Sequence, residues 1–241
     1  MAREKVIAGV RSSGDGPTKT KRAKRRSAQV RSGADRDETA RRRIIRAAAG
    51  IYREFGYERA SMTDIARRLG ITAPALYWYF RSKEDILVAF LEYTVADLIQ
   101  FVRSLLRARE PKQRLWEFMY AYVLWQLQQR ELSAAYERIY ALGHLRNSLP
   151  EKQRQHITAL EREFYGMCRE LIAAIPGRER NAAVAPVAFA MIGMVEHLIT
   201  WFDSNGTLSV KGIATLYADL AVAMATATPA STGRRVGRPA V

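Results

Sequence analysis

The residues best suited to contact chemistry stand together between Arg67 and Lys83. Tyr77, Trp78 and Tyr79 are consecutive, and Arg67, Arg68, Arg81 and Lys83 flank them. Aromatic rings and hydroxyls beside guanidinium and ammonium groups suit phosphates, base edges and thymine methyls. They do not suit bond-making. GxGxxG, a P-loop, HExxH, GxSxG and CxxC are all missing from the sequence. His144, His156 and His197 lie far apart without metal spacing. The single cysteine, Cys168, sits among Phe164, Met167 and Leu171, which reads as a buried small hydrophobe rather than a reactive thiol. No enzymatic activity, metal or cofactor is expected.

Charge points to a polyanionic partner. The 241 residues carry a formal net charge of +15 with a pI near 10.3. The excess sits in residues 1–35, in residues 36–110 and in the last eleven residues, whereas 111–230 is almost neutral. That asymmetry suggests a front that faces nucleic acid and a back with another task. A membrane-surface role for the basic arm is the competing reading. With one cysteine there is no intrachain disulfide, and no apolar stretch follows the basic N-terminus as in a secretion signal, so a cytoplasmic protein is expected. Ala182–Phe202 is long and apolar, but it contains Pro186, Glu196 and His197. A buried helix at an oligomer interface is preferred to a membrane span.

The elements that must position the aromatic run read as helices, in an all-α fold. Residues 1–35 show no periodicity and read as a disordered basic arm, with phosphate contact or mere extension as its open roles. A first helix from about Asp37 to Phe55 is stopped by Gly56. Ser61 caps a second helix from Met62, with Asp64 at its third position serving as the acid of a capping box does. Gly70 ends that helix, Thr72 caps the next, and Pro74 suits its first turn over Pro74–Phe80. A helix ended by glycine, a three-residue turn and a short helix give the spacing of a helix-turn-helix, whose second helix enters the major groove end-on. Ala73 and Ala75 permit close approach. Three consecutive aromatics point 100° apart, so one short helix cannot bury all three. Leu76 and Phe80 are the better core pair.

Ser82 caps a long helix reaching about Arg107, followed by helices near 112–130, 132–145, 150–175, 182–202 and 209–226. The domains expected are the arm at 1–35, a DNA-binding domain at 36–82, a ligand-binding and dimerisation domain at 83–226 and a disordered tail at 227–241. In the tail, Val236-Gly237-Arg238-Pro239 weakly echoes a minor-groove hook with one Arg replaced.

The stretch from Ser61-Met62-Thr63-Asp64-Ile65-Ala66 through Leu69-Gly70-Ile71-Thr72 to Ala75-Leu76-Tyr77-Trp78-Tyr79-Phe80 and Lys83-Glu84-Asp85 closely resembles the TetR family of bacterial repressors. The resemblance implies a dimer with three N-terminal helices for operator DNA and a helical C-terminal bundle that takes a small-molecule effector and dimerises. By motif position, Ser61, Thr63, Thr72, Ala73 and Ala75 would touch DNA, as would Tyr77, Trp78, Tyr79 and Lys83. The partner implied is palindromic double-stranded operator DNA. Many members carry His at one or both positions after the motif tyrosine; here Trp78-Tyr79 stands instead, so base preference does not transfer.

For the effector, the aromatic and methionine stock of the back domain suits an adaptable apolar pocket with a polar handle. The candidates are Trp116, Tyr120, Trp125, Tyr140 and Phe164, with Met167, Phe189, Met194 and His197. The segment from His197 to Leu220 is similar to the end of family members that control fatty-acid or sterol breakdown. That resemblance implies a lipophilic or acyl-CoA effector, with Arg138, Arg146, Arg162 and Arg169 as possible phosphate partners. It also implies a homodimer through the helices near 182–202 and 209–226.

Overall fold

The computed structural model describes residues 18–178 and 183–227, with side chains from residue 35 onward apart from Arg146. Residues 1–17, Ala182 and the tail with Arg238 lie outside the described residues. Two compact units result, 1–42 and 43–241. Eleven helices and no strand occur among the described residues.

The first helix, α1, runs Thr18–Phe55, so it starts well before the Asp37 expected, and residues 18–34 of the presumed disordered arm are helical. Residues 18–30 are mostly Lys, Arg, Ala and Gln, with no Gly or Pro, and such side chains lose little freedom in a helix. Periodicity gave no sign of this because no apolar stripe is needed to set the helix. In the first unit Arg42 pairs with Glu38 one turn earlier at 3.0 Å.

In the second unit the front half is built from the C-terminal part of α1, α2 (Met62–Leu69), α3 (Ala73–Tyr79) and the start of α4 (Lys83–Leu105). Each cap is visible. Ser61, Thr72 and Ser82 hydroxyls accept from the backbone N–H of Asp64, Ala75 and Asp85 at 3.1, 3.4 and 3.1 Å. Gly56 and Gly70 take φ of 81° and 67°, where a side chain would be strained.

The back half holds α5 (Pro111–Gln128), α6 (Arg130–Ala141), α7 (Gly143–Ser148), α8 (Glu151–Ala173), α9 (Val184–Glu196), α10 (Leu198–Trp201) and α11 (Val210–Thr226). Helix α7 was not foreseen. It follows the turn at Leu142 and buries Leu145, with Leu149 buried just past its end. The helix expected over 182–202 breaks at His197. The Thr200 hydroxyl donates to the His197 carbonyl at 2.7 Å, and His197 ends α9. The window Val184–Trp201 is long and apolar enough to cross a membrane, yet its Ala188, Met191, Ile192, Val195 and Leu198 sit in the back core.

Two cores form. The front one gathers Ile44, Tyr52, Ile65, Leu76, Phe80, Ile86 and Phe90. It also takes Leu132, Ala135 and Ile139 from α6, Leu145 from α7, Leu149 just past the end of α7, and Ile157 from α8. The back one joins α4, α5, α8, α9 and α11 around Phe118, Met119, Phe164 and Met191. Helix α6 therefore seats one face in the core that holds the helix-turn-helix.

Candidate functional sites: an exposed aromatic helix and an acidic cavity

At the front, α3 presents what the sequence predicts. Leu76 and Phe80 are buried. Tyr77 is 50% exposed and Trp78 70% exposed. Tyr79 is half-buried and meets Trp78 edge-on, with ring centroids 4.7 Å apart. Thr63, Thr72 and Ala75 are exposed, and Ala73 is half-buried. A short helix held by two buried anchors thus offers rings and small residues to one side.

The surrounding charge is less free than the sequence suggests. Arg68 donates to both oxygens of Glu54 at 2.7 Å, pinning α2 to α1. Arg67 pairs with Asp64 at 2.9 Å. Ser61 both caps α2 and donates to the Asp64 carboxylate at 2.5 Å, which with Arg67 holds that carboxyl below its usual range. Lys83 points inward: its Nζ donates to the Tyr57 carbonyl at 3.2 Å and lies 4.3 Å over the Tyr57 ring. The Tyr57 hydroxyl donates to Glu84 at 3.3 Å. Arg81 is exposed. Arg68 and Lys83 thus fasten the motif internally, a duty that a one-dimensional pattern does not show.

At the back, a cavity of about 100 Å³ opens among α4, α5, α6, α8 and α9. Its aromatic wall is Tyr122, Trp125, Tyr136, Tyr140, Phe164 and Tyr165; its polar groups are Gln126, Ser133, Glu137, Glu161 and Glu196. Trp125, Tyr140 and Phe164 were anticipated there. The other six candidates stand elsewhere. Trp116 donates to Asp219 at 2.7 Å and stacks on Tyr120. Met167 and Met194 pack on the back core away from the lining. Phe189 and His197 are exposed. Their helical phase faced other neighbours, and only packing reveals which face looks inward.

The three glutamates were the signal that sequence reading missed. Glu137 and Glu161 resemble any acid on a solvated helix face; only Glu196, within an apolar helix, stood out. Tyr136 donates to Glu161 at 2.5 Å and Tyr165 to Glu196 at 3.4 Å. Ser133 and Gln126 bond to one another. Burial, reinforced by the charge of Glu196, pushes the Glu137 carboxyl up to about 7. Burial also raises Glu196, against the opposing bond from Tyr165. Cys168 lies outside the lining, and burial raises its thiol to about 12. Helix α6 joins the two sites, since Ser133, Tyr136, Glu137 and Tyr140 face the cavity while Leu132, Ala135 and Ile139 sit in the front core.

Comparison with known proteins agrees with this architecture. Residues 44–90 match the family described as bacterial regulatory proteins, tetR family, and residues 108–225 match the tetracyclin repressor-like C-terminal domain. Together they span about two thirds of the chain. The HTH-type transcriptional activator FasR of Mycolicibacterium smegmatis is 38% identical over 81 residues, 33% of this chain and 36% of FasR. The chain spans 18% to 36% of the length of three such curated relatives. Among solved structures, the TetR family transcriptional regulator PfmR of Thermus thermophilus superposes with a TM-score of 0.64 at 27% identity, covering 75% of this chain and 97% of PfmR. AibR in complex with isovaleryl coenzyme A and operator DNA gives 0.61 at 26% identity, covering 76% and 96%.

Proposed function

Because the chain belongs to the TetR family of bacterial regulatory proteins, we propose that it is a ligand-responsive transcriptional regulator. In this reading it binds palindromic operator DNA as a homodimer and represses until an effector releases it. The observation that carries the reading is the double duty of α6. One face is built into the core that clamps the exposed α3, and the other lines the back cavity. A ligand that prefers one setting of α6 thereby prefers one placement of α3. Two recognition helices must match major grooves about 34 Å apart, so a modest shift suffices to weaken binding.

The DNA contacts proposed are Ser61, Thr63, Thr72, Ala73, Ala75, Tyr77, Trp78 and Tyr79. Lys83 acts by holding the Tyr57 turn. Dimerisation through α9 to α11 is supported by Phe189, Trp201, Leu216 and Leu220, large apolar side chains each more than 40% exposed there. The regulator would act in the cytoplasm. Three residues of the aromatic wall, Trp125, Tyr140 and Phe164, belong to the proposed effector site.

An acyl-CoA thioester is a second reading of the effector, favoured by the AibR complex with isovaleryl coenzyme A. Among the described residues the cavity lining holds no Arg, Lys or His. Arg138 donates to the Arg53 carbonyl, and Arg162 and Arg169 are exposed.

Selection of random duplexes with the full chain tests the proposal. An inverted repeat bound by wild type and lost in Tyr77→Ala is expected. Enrichment of no sequence, or undiminished binding by Tyr77→Ala, would overturn it.

A further inference from the structure

The cavity has a composition that its host protein makes unusual. A chain of net charge +15 has gathered Glu137, Glu161 and Glu196 around one interior space, with no Lys, Arg or His in the lining among the described residues. Glu137 has no hydrogen-bond or ion-pair partner among the described residues, and Glu196 accepts only from Tyr165 at 3.4 Å. Burying a carboxylate without a countercharge is costly, and proteins retain such an arrangement where something outside the chain compensates it.

A second observation is independent of the acids. Tyr122 is only 3% exposed, and its hydroxyl makes no hydrogen bond among the described residues. Tyr122 lines the cavity, and the charges that act on its hydroxyl most strongly are those of Glu196 and Glu137, two acids of the same lining. A buried polar group left without a partner waits for one. The remaining wall is aromatic: Phe164 meets Tyr122 edge-on at 4.9 Å, and Tyr136 stacks on Tyr140 at 6.2 Å. Ring faces attract cations, most strongly when desolvated.

We propose that the effector of this cavity is a small organic cation, a protonated amine or a quaternary ammonium, whose charge faces Glu137 and Glu196 against the aromatic wall. The inference rests on the reading of this cavity as the effector site. A metal ion is the poorer fit, because no three His, Cys, Asp or Glu side chains converge at ligating distance among the described residues. An anion would meet Glu137 and Glu196, neither of which has a cationic partner among the described residues. Size is limiting: an apolar cavity of roughly 150 Å³ holds benzene, and this one measures about 100 Å³. The half-exposed Tyr140 stands in its lining and lets a longer ligand reach outward. The raised Glu137 carboxyl agrees with this, since a bound cation would restore its ionised form.

The test is calorimetric titration and thermal shift on the full chain at pH 8. The probes are 3-methylbutylammonium, tetramethylammonium, 3-methylbutanol, isovalerate and isovaleryl coenzyme A. The ammonium is expected to bind at least about tenfold tighter than the alcohol of the same shape, the effect of a little over 1 kcal/mol. Glu137→Gln and Glu196→Gln should each erase most of that preference. Binding of the alcohol, isovalerate or the thioester as tightly as the ammonium overturns the cationic class and leaves the effector site standing. An ammonium preference that survives in both variants overturns the assignment of Glu137 and Glu196. If none of the five probes shifts the melting temperature or gives heat, the effector-site reading falls, and the cation with it.

Discussion

The front and back halves handle their acids in opposite ways. In the front, acids at the surface have partners: Glu54 holds Arg68, Asp64 holds Ser61 and Arg67, and Glu84 takes the Tyr57 hydroxyl. The Tyr52 hydroxyl is the exception, buried and unbonded, with its ionisation strongly disfavoured by burial. In the back, Glu137 faces a space rather than a partner, and Glu196 accepts only a long bond from Tyr165. Paired groups fix one geometry, whereas unpaired groups leave free energy to be gained on binding. The contrast separates a domain built to hold a shape from one built to respond.

Substitutions can break or sharpen that contrast. The largest effect is expected from Leu76→Ala, which empties a fully buried anchor of α3. A loss of about 2–5 kcal/mol of stability, read by denaturant unfolding, follows from the lost burial and the cavity left behind. A loss near zero would mean that α3 is not clamped as described. Next comes Trp78→Ala, at a residue 70% exposed. It should cost about 1–3 kcal/mol of operator affinity with little change in melting temperature, because its ring packs on little besides Tyr79.

Glu137→Gln should act in the opposite direction. Its folded-state carboxyl titrates near 7 instead of 4.5. The folded chain therefore holds an extra proton between those values, and stability falls as pH rises through that window. Glu161 and Glu196 line the same cavity, and Glu196 is raised too. The substitution should remove part of that slope and stabilise the ligand-free protein at pH 8 by on the order of 1 kcal/mol, once partial solvent access is allowed for. Thermal unfolding at pH 5 and pH 8 measures both. A destabilised Gln variant would show that Glu137 is compensated after all.

The smallest effect belongs to Arg68→Ala. Its bidentate pair with Glu54 is more than one-third exposed on both sides. Such a pair contributes up to about 1 kcal/mol, and the loss should shrink further in high salt.

Much of the front half was legible in the sequence. Ser61, Thr72 and Ser82 announced the caps, Gly56 and Gly70 the stops, and Leu76 with Phe80 the anchors of α3. These are local rules, acting within four residues, and no distant neighbour is needed to satisfy them. The start of α1 was missed because a charged helix without an apolar stripe carries no period. The break at His197 was missed because a threonine hydroxyl competing for a carbonyl leaves no mark in hydropathy.

The sequence by itself determined α2 and α3 with their caps and stops, the motif and the exposure of Tyr77 and Trp78, since each follows from spacing along one short segment. The tertiary structure alone decided that Arg68 and Lys83 are internal fasteners. It also decided that six of nine pocket candidates look elsewhere and that Glu137, Glu161 and Glu196 share one space. The reason is helical phase. A helix shows every face in its sequence, and only the packing of α4, α5, α6, α8 and α9 selects which faces meet.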